Sequence, residues 1–161
     1  MNTGSALYYA KMKRLAEQHR LLQHSEDELH YFRGELEEFY VGLRNKVNFP
    51  AMVVEGYELN YSEDKKQLET SFFIAQDYKE QDDYDEIDRA FDLCERIGES
   101  VAKRLMAEAD DLNCQSVVLD NAVQMQHETE KYVGMRFNFT VIYPFCDSVG
   151  GDDWNDLVVN G

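Results

Sequence analysis

The chain has 161 residues, of which 43% are hydrophobic and 12% aromatic, too many for a disordered protein and enough for one domain that buries roughly 70% of its unfolded surface. Thirty-two acidic residues against 16 basic ones leave a formal net charge of −16, which excludes a broad basic face for nucleic acid or anionic membranes. No run of about 18 apolar residues is present to span a bilayer, and the opening residues lack the apolar stretch of a secretory signal.

Tyr8, Met12, Leu15, His19 and Leu22 recur at spacings of four and three and predict a helix from about Ser5. Between Ser5 and His24 the basic residues Lys11, Lys13, Arg14 and Arg20 stand against Glu17 alone, so this helix is positive on an acidic chain. It serves either as a solvated face or as a surface that meets an acidic patch, on this chain or a neighbour. Ser25 and Glu28 have the spacing of a capping box. Leu29, Phe32, Leu36, Phe39, Leu43 and Val47 then form the stripe of a second helix, which must stop before Pro50.

After Pro50 the period becomes two. Ala51 to Tyr61 predicts a strand with Val53, Tyr57, Leu59 and Tyr61 on its dry face, which Glu55 interrupts. Ser62 to Lys66 is a polar turn, and Leu68, Thr70, Phe72 and Ile74 mark the return strand of an antiparallel hairpin. An acidic loop from Asp77 to Asp85 leads into a long helix whose stripe is Ile87, Phe91, Cys94, Ile97, Val101 and Leu105. A second hairpin follows. Val117, Leu119, Val123 and Met125 mark one strand. Tyr132 to Phe145 forms the other, with Val133, Met135, Phe137, Phe139, Val141 and Tyr143 alternating against Gly134, Arg136, Asn138 and Thr140.

The order is ααββαββ. The expected fold is α+β: an antiparallel four-stranded sheet of two hairpins packed on the long helix, preceded by an N-terminal helical pair. Residues 1–48 are then a helical region, 49–146 the core and 147–161 an acidic tail of a single domain.

The residues carry no recognisable reaction chemistry. Cys94, Cys114 and Cys146 are odd in number and lack CxxC spacing, so reduced thiols in a cytoplasm are expected. His19, His24, His30 and His127 have no HExxH or HxxxH partner, and Gly150-Gly151 belongs to no phosphate loop. The run DYKEQDDYDEID lacks the glycine of a calcium loop and suits the start of a helix. No cofactor, metal or enzymatic activity is expected. A metal-assisted hydrolase built on that acidic run is the competing enzyme class.

Three features ask for a partner. The strand from Tyr132 is long, at about 3.3 Å per residue roughly 45 Å, and Arg136 is its only charge before Tyr143. It either presents an unpaired edge to another subunit through the row Arg136, Asn138 and Thr140, or bends at Gly134 and wraps its own core. The tail places Trp154, Leu157, Val158 and Val159 after a glycine pair, the composition of a segment that orders on a neighbour. Lys11, Lys13 and Arg14 of the positive helix suit head-to-tail contact, and such contacts make rings when they close.

From Phe49 to Phe145, the order of hairpin, long acid-capped helix and second hairpin ending in Tyr143, Pro144 and Phe145 resembles the tail-terminator and head-to-tail joining proteins of tailed bacteriophages. The resemblance implies a non-enzymatic virion subunit that forms a homo-oligomeric ring at the tail terminus or neck. Such a subunit joins neighbouring virion proteins and lets DNA pass an acidic lumen without specific binding. It would be made in the host cytoplasm and then carried in the virion. The alternative is a cytoplasmic α+β interaction or small-ligand module with a pocket between sheet and helices.

Overall fold

The computed structural model describes residues 5–34, 42–146 and 155. Helix α1 (Ser5–Gln18) is followed by a short strand β1 (Tyr31–Arg33), a 3₁₀ turn (Leu43–Asn45) and the hairpin β2 (Ala51–Tyr61) and β3 (Lys65–Asp77). Helix α2 (Tyr84–Ala107), a 3₁₀ turn (Ala109–Leu112) and the hairpin β4 (Ser116–His127) and β5 (Tyr132–Pro144) complete the order αβββαββ. The five strands form one mixed sheet in the order β1-β2-β3-β5-β4. The fold is α+β, but the expected four-stranded antiparallel sheet and N-terminal helical pair are overturned. The sheet has a fifth strand, β1, running parallel to β2.

The second helix fails for a local and a tertiary reason. Ser25 and Glu28 do bond as their spacing suggests, with the Glu28 amide donating to Ser25 Oγ at 3.0 Å and the Ser25 amide to the Glu28 carbonyl at 3.0 Å. Those bonds close a turn instead of opening a helix. Ala51, Met52, Val53 and Val54 of β2 are all fully buried, so the polar backbone along their outer edge needs a partner. Tyr31, Phe32 and Arg33 pair with Met52, Val53 and Val54 and supply one. The stripe residues Leu43 and Val47 are buried all the same, against Val53, Phe73, Ala75 and Tyr132 on the sheet face away from the helices. Leu36 and Phe39 lie outside the described residues, as does the tail apart from Asn155.

The main core lies between the sheet and the two helices. Phe72 and Phe137 stack with ring centroids 5.2 Å apart, and Tyr8, Met12 and Leu15 of α1 and Cys94, Ile97, Val101 and Leu105 of α2 close over them. Two glycines are required by this packing. A methyl group at Gly98 of α2 would collide with the Phe137 ring, and one at Gly134 of β5 with the Phe73 ring. Gly134 is therefore a slot for a neighbouring ring in a continuously paired strand, and the chain does not bend there.

Bulges break the alternation of both outer long strands. The β2–β3 register slips between Val54 and Tyr57, and the β4–β5 register between Leu119 and Asn121. Each extra residue reverses the faces beyond it. Met52 and Val54 share the helix side with Tyr57, Leu59 and Tyr61, so Val53 does not. Val117 and Leu119 face the helix side, while Val123 and Met125 face the opposite one.

β5 is the centre of the sheet. It pairs with β3 from Tyr132 to Pro144 and with β4 from Tyr132 to Ile142. The unpaired edge expected of it is absent, because β3, of 13 residues like β5, and β4, of 12, flank it on both sides.

Candidate functional site

Among the described residues the edges that remain open belong to other strands. β4 is an outer strand of 12 residues, and from Ser116 to His127 it carries no Lys, Arg or Glu and a single Asp, Asp120. Beyond the bulge Ala122, Val123 and Gln124 are exposed on both faces, Val123 at 48%, and before it Val118 is 43% exposed. On the far side of the sheet β1 covers β2 only as far as Val54, and the amide of Gly34 adds a bond to the Val54 carbonyl at 3.3 Å. Among the described residues no strand covers the outer edge of β2, the one away from β3, between Tyr57 and Tyr61, where Tyr57, Leu59 and Tyr61 are exposed large side chains.

Between these edges, on the face away from the helices, the bulges shape a shallow cleft of about 700 Å³ lined by Glu55, Glu58, Glu69, Ser71, Asp120 and Asn138 among others. A polar ladder crosses its floor. Arg136 Nε donates to Glu55 Oε1 at 2.8 Å, Asn138 Nδ2 to Asn121 Oδ1 at 2.7 Å and Thr140 Oγ1 to Asp120 Oδ2 at 2.8 Å. The three interface candidates from β5 thus share one face, and their bonds run to residues of their own chain. Glu55 and Asp120 sit in the two bulges; the sequence marked Glu55 as a break in alternation, whereas Asp120 fell on the polar parity of its strand and gave no such signal. Arg136 Nη2 is buried with no hydrogen-bond partner among the described residues.

The bulge in β2 is fastened to α1. Thr70 Oγ1 donates to the Gly56 carbonyl at 3.0 Å, which leaves the Tyr8 hydroxyl, 3.3 Å away, to donate to Thr70. Burial raises the Tyr8 phenol far above its ordinary value, so it stays protonated.

The basic residues of α1 divide. Lys11 is only 2% exposed, with Nζ at 2.7 Å from both Glu108 Oε1 and Asp111 Oδ2, so it pins α1 to the turn after α2 and meets no neighbour. Lys13 and Arg14 lie on the exposed side of the helix. Trp154, Leu157, Val158 and Val159 lie outside the described residues.

The groups with chemical potential have structural employment. Cys94 is buried against the Val133 carbonyl at 3.9 Å, and burial pushes its thiol up to about 12, far from a thiolate nucleophile at neutral pH. Asp83 caps α2, its carboxylate accepting from the Glu86 amide at 3.1 Å, and Glu86 in turn accepts from the Lys79 amide at 2.7 Å. Among the described residues no three His, Cys, Asp or Glu side chains converge as a metal site, and no helix is long and apolar enough to cross a membrane.

No protein-family model matches the sequence, and comparison with curated proteins gives no match either.

Proposed function

We propose that this chain is a non-enzymatic structural subunit that assembles with copies of itself by extending its sheet from edge to edge, in a ring at the tail terminus or head–tail neck of a tailed bacteriophage. The observation that carries the reading is the open β4 edge: 12 residues, one charge, no proline and a single bulge to discourage pairing. Strand directions allow the sheet to continue. β2, β3, β5 and β4 alternate in direction across the sheet. A second copy rotated about an axis along the strands therefore brings its β2 edge, Tyr57 to Tyr61, antiparallel to β4. The contact is heterologous, so it propagates, and it closes into a ring at the right angle. A net charge of −16 suits a lumen past which DNA slides without sticking. The phage setting rests on the order of hairpin, long helix and hairpin between Phe49 and Phe145.

The test is native mass spectrometry of the wild type and of Val118→Lys/Val123→Lys, which puts two ammonium groups on exposed positions of the edge strand. Expected is a discrete ring for the wild type and a folded monomer for the variant. A wild type that stays monomeric at high concentration, alone and with neighbouring virion proteins, would overturn the proposal.

The small-ligand alternative has less to rest on. The space between sheet and helices is filled by side chains such as Phe72, Phe137 and Phe139, and the 700 Å³ cleft lies on the opposite face.

A further inference from the structure

A second cleft, of about 410 Å³, lies where the end of α1 meets α2. His19, Arg20 and Leu21 form one wall. Arg96, Ser100 and Arg104, four residues apart along one face of α2, form the other. Arg104 is engaged by Glu108 through Nε at 3.2 Å. Arg20 and Arg96 have no carboxylate within ion-pair distance among the described residues, although the chain holds twice as many acidic as basic side chains. Asp92, Glu95 and Glu99 line an adjoining cleft that shares Arg96 and Ser100 with this one, and none of the three comes within ion-pair distance of Arg96. His19 is held with Nδ1 accepting from the Leu21 amide at 3.1 Å, and burial followed by the nearby Arg96 charge lowers its pKa. It is neutral at pH 7, and the positive charge of the cleft comes from the arginines. Leu21, 38% exposed, adds an apolar rim.

Such a cleft takes an acidic segment that also carries an apolar side chain, and this chain contains one. Residues 147–161 hold Asp147, Asp152, Asp153 and Asp156, no basic residue, and Trp154, Leu157, Val158 and Val159. The chain leaves the body from Phe145, whose amide donates to the Asp64 carbonyl at 2.9 Å in the β2–β3 turn and whose ring meets Tyr61, at the end of the sheet toward which α2 runs. The Gln115 amide bonds the Ile142 carbonyl at 2.7 Å, which ties the end of β5 to the connection after α2, and Arg104 stands one helical turn before Glu108. From Arg104 back to Arg96 is about 12 Å at 1.5 Å per helical residue. The nine residues from Phe145 to Trp154 span up to about 30 Å when extended.

We propose that the arginine cleft between α1 and α2 is the seat of segment 147–161 of the same chain, its aspartates meeting Arg20 and Arg96 and Trp154 lying against Leu21. The seat needs only one copy of the chain, so it stands or falls independently of ring assembly.

Trp154 is the only tryptophan, so intrinsic fluorescence reports this segment alone. Acrylamide, being uncharged, is the quencher. Expected in the wild type at low salt is quenching roughly two-fold or more slower than in an isolated peptide of residues 147–161, the same at every protein concentration. Protection is lost in Arg20→Glu/Arg96→Glu and equally in Asp152→Asn/Asp153→Asn, which leaves residues 5–146 unchanged. It also weakens when salt rises to about 0.5 M and the screening length shrinks to roughly 4 Å. Peptide-like quenching in the wild type, or protection that survives both variants, would overturn the seat. Protection that grows with concentration would assign the acceptor to another copy and overturn the same-chain form. Inorganic phosphate binding equally well to the full chain and to a chain ending at Cys146 would show an unoccupied cleft and count against it likewise.

Discussion

Lys11 shows how a charge that looks available can be committed to the fold. Its ammonium is buried and shared by Glu108 and Asp111, whose carboxyls it holds below their ordinary values of 4.5 and 3.8, chiefly by direct hydrogen bonds. Carboxyls lowered in the folded state contribute stability above their unfolded values and lose it as the pH falls through the folded ones. Lys11→Met should therefore melt below the wild type at pH 7, with the gap closing below about pH 4; thermal denaturation followed across pH reads it. A gap of constant size would mean that the ammonium is not the anchor. Gly98 gives a test of opposite sign to the usual rule. In an exposed helix interior Gly→Ala gains about 1 kcal/mol, but here the methyl meets Phe137, and the substitution should cost about 1–3 kcal/mol of overpacking. Denaturant unfolding decides between gain and loss.

At the level of elements, the long segments were legible because one period dominated each. The stripe of α2 and the alternation of β3 and β5 placed Cys94, Ile97, Phe72, Phe137 and Phe139 on the core side, where the structure has them. The failures share a cause: a contact from elsewhere in the chain reassigned a locally ambiguous stretch. Residues 29–47 carry a helical spacing, but a neighbouring strand with a buried backbone edge drew Tyr31–Arg33 into the sheet, and no window of sequence contains that demand. The bulges were half visible. Glu55 interrupts its pattern, Asp120 does not, and only the register across the sheet shows the faces exchanging beyond them. The site was less legible than the fold. Arg136, Asn138 and Thr140 do share a face, but the open edge belongs to β4, whose sequence advertises it only by scarcity of charge. At the start of α2, Asp83→Ala should remove one cap bond and cost about 1 kcal/mol, lowering the melting temperature by roughly 2–4 °C. Calorimetry that finds no change would show the Glu86 amide satisfied in another way.

For the whole molecule the dominant quantity is the charge of −16. Copies that approach edge to edge repel one another, so the proposed ring should tighten as salt rises toward about 0.5 M, where the screening length falls to roughly 4 Å. The seating of segment 147–161 should loosen over the same range. Analytical ultracentrifugation and Trp154 quenching on one set of samples would follow both, and two responses of the same sign would contradict one of the proposals. The central pairing of β3 with β5 has a consequence for how the chain comes to be folded. It joins residues separated by 55 positions (Asp77 with Tyr132) to 79 (Lys65 with Pro144), with α2 and β4 between them. During synthesis Phe72, Phe73 and Ile74 emerge long before their partners, and the ribosome must deliver the chain through Pro144 before that half of the core can close. Closure of such distant pairs is slow, on the order of milliseconds to seconds. The nascent hairpin β2–β3 is thus the stretch a holding chaperone would find exposed.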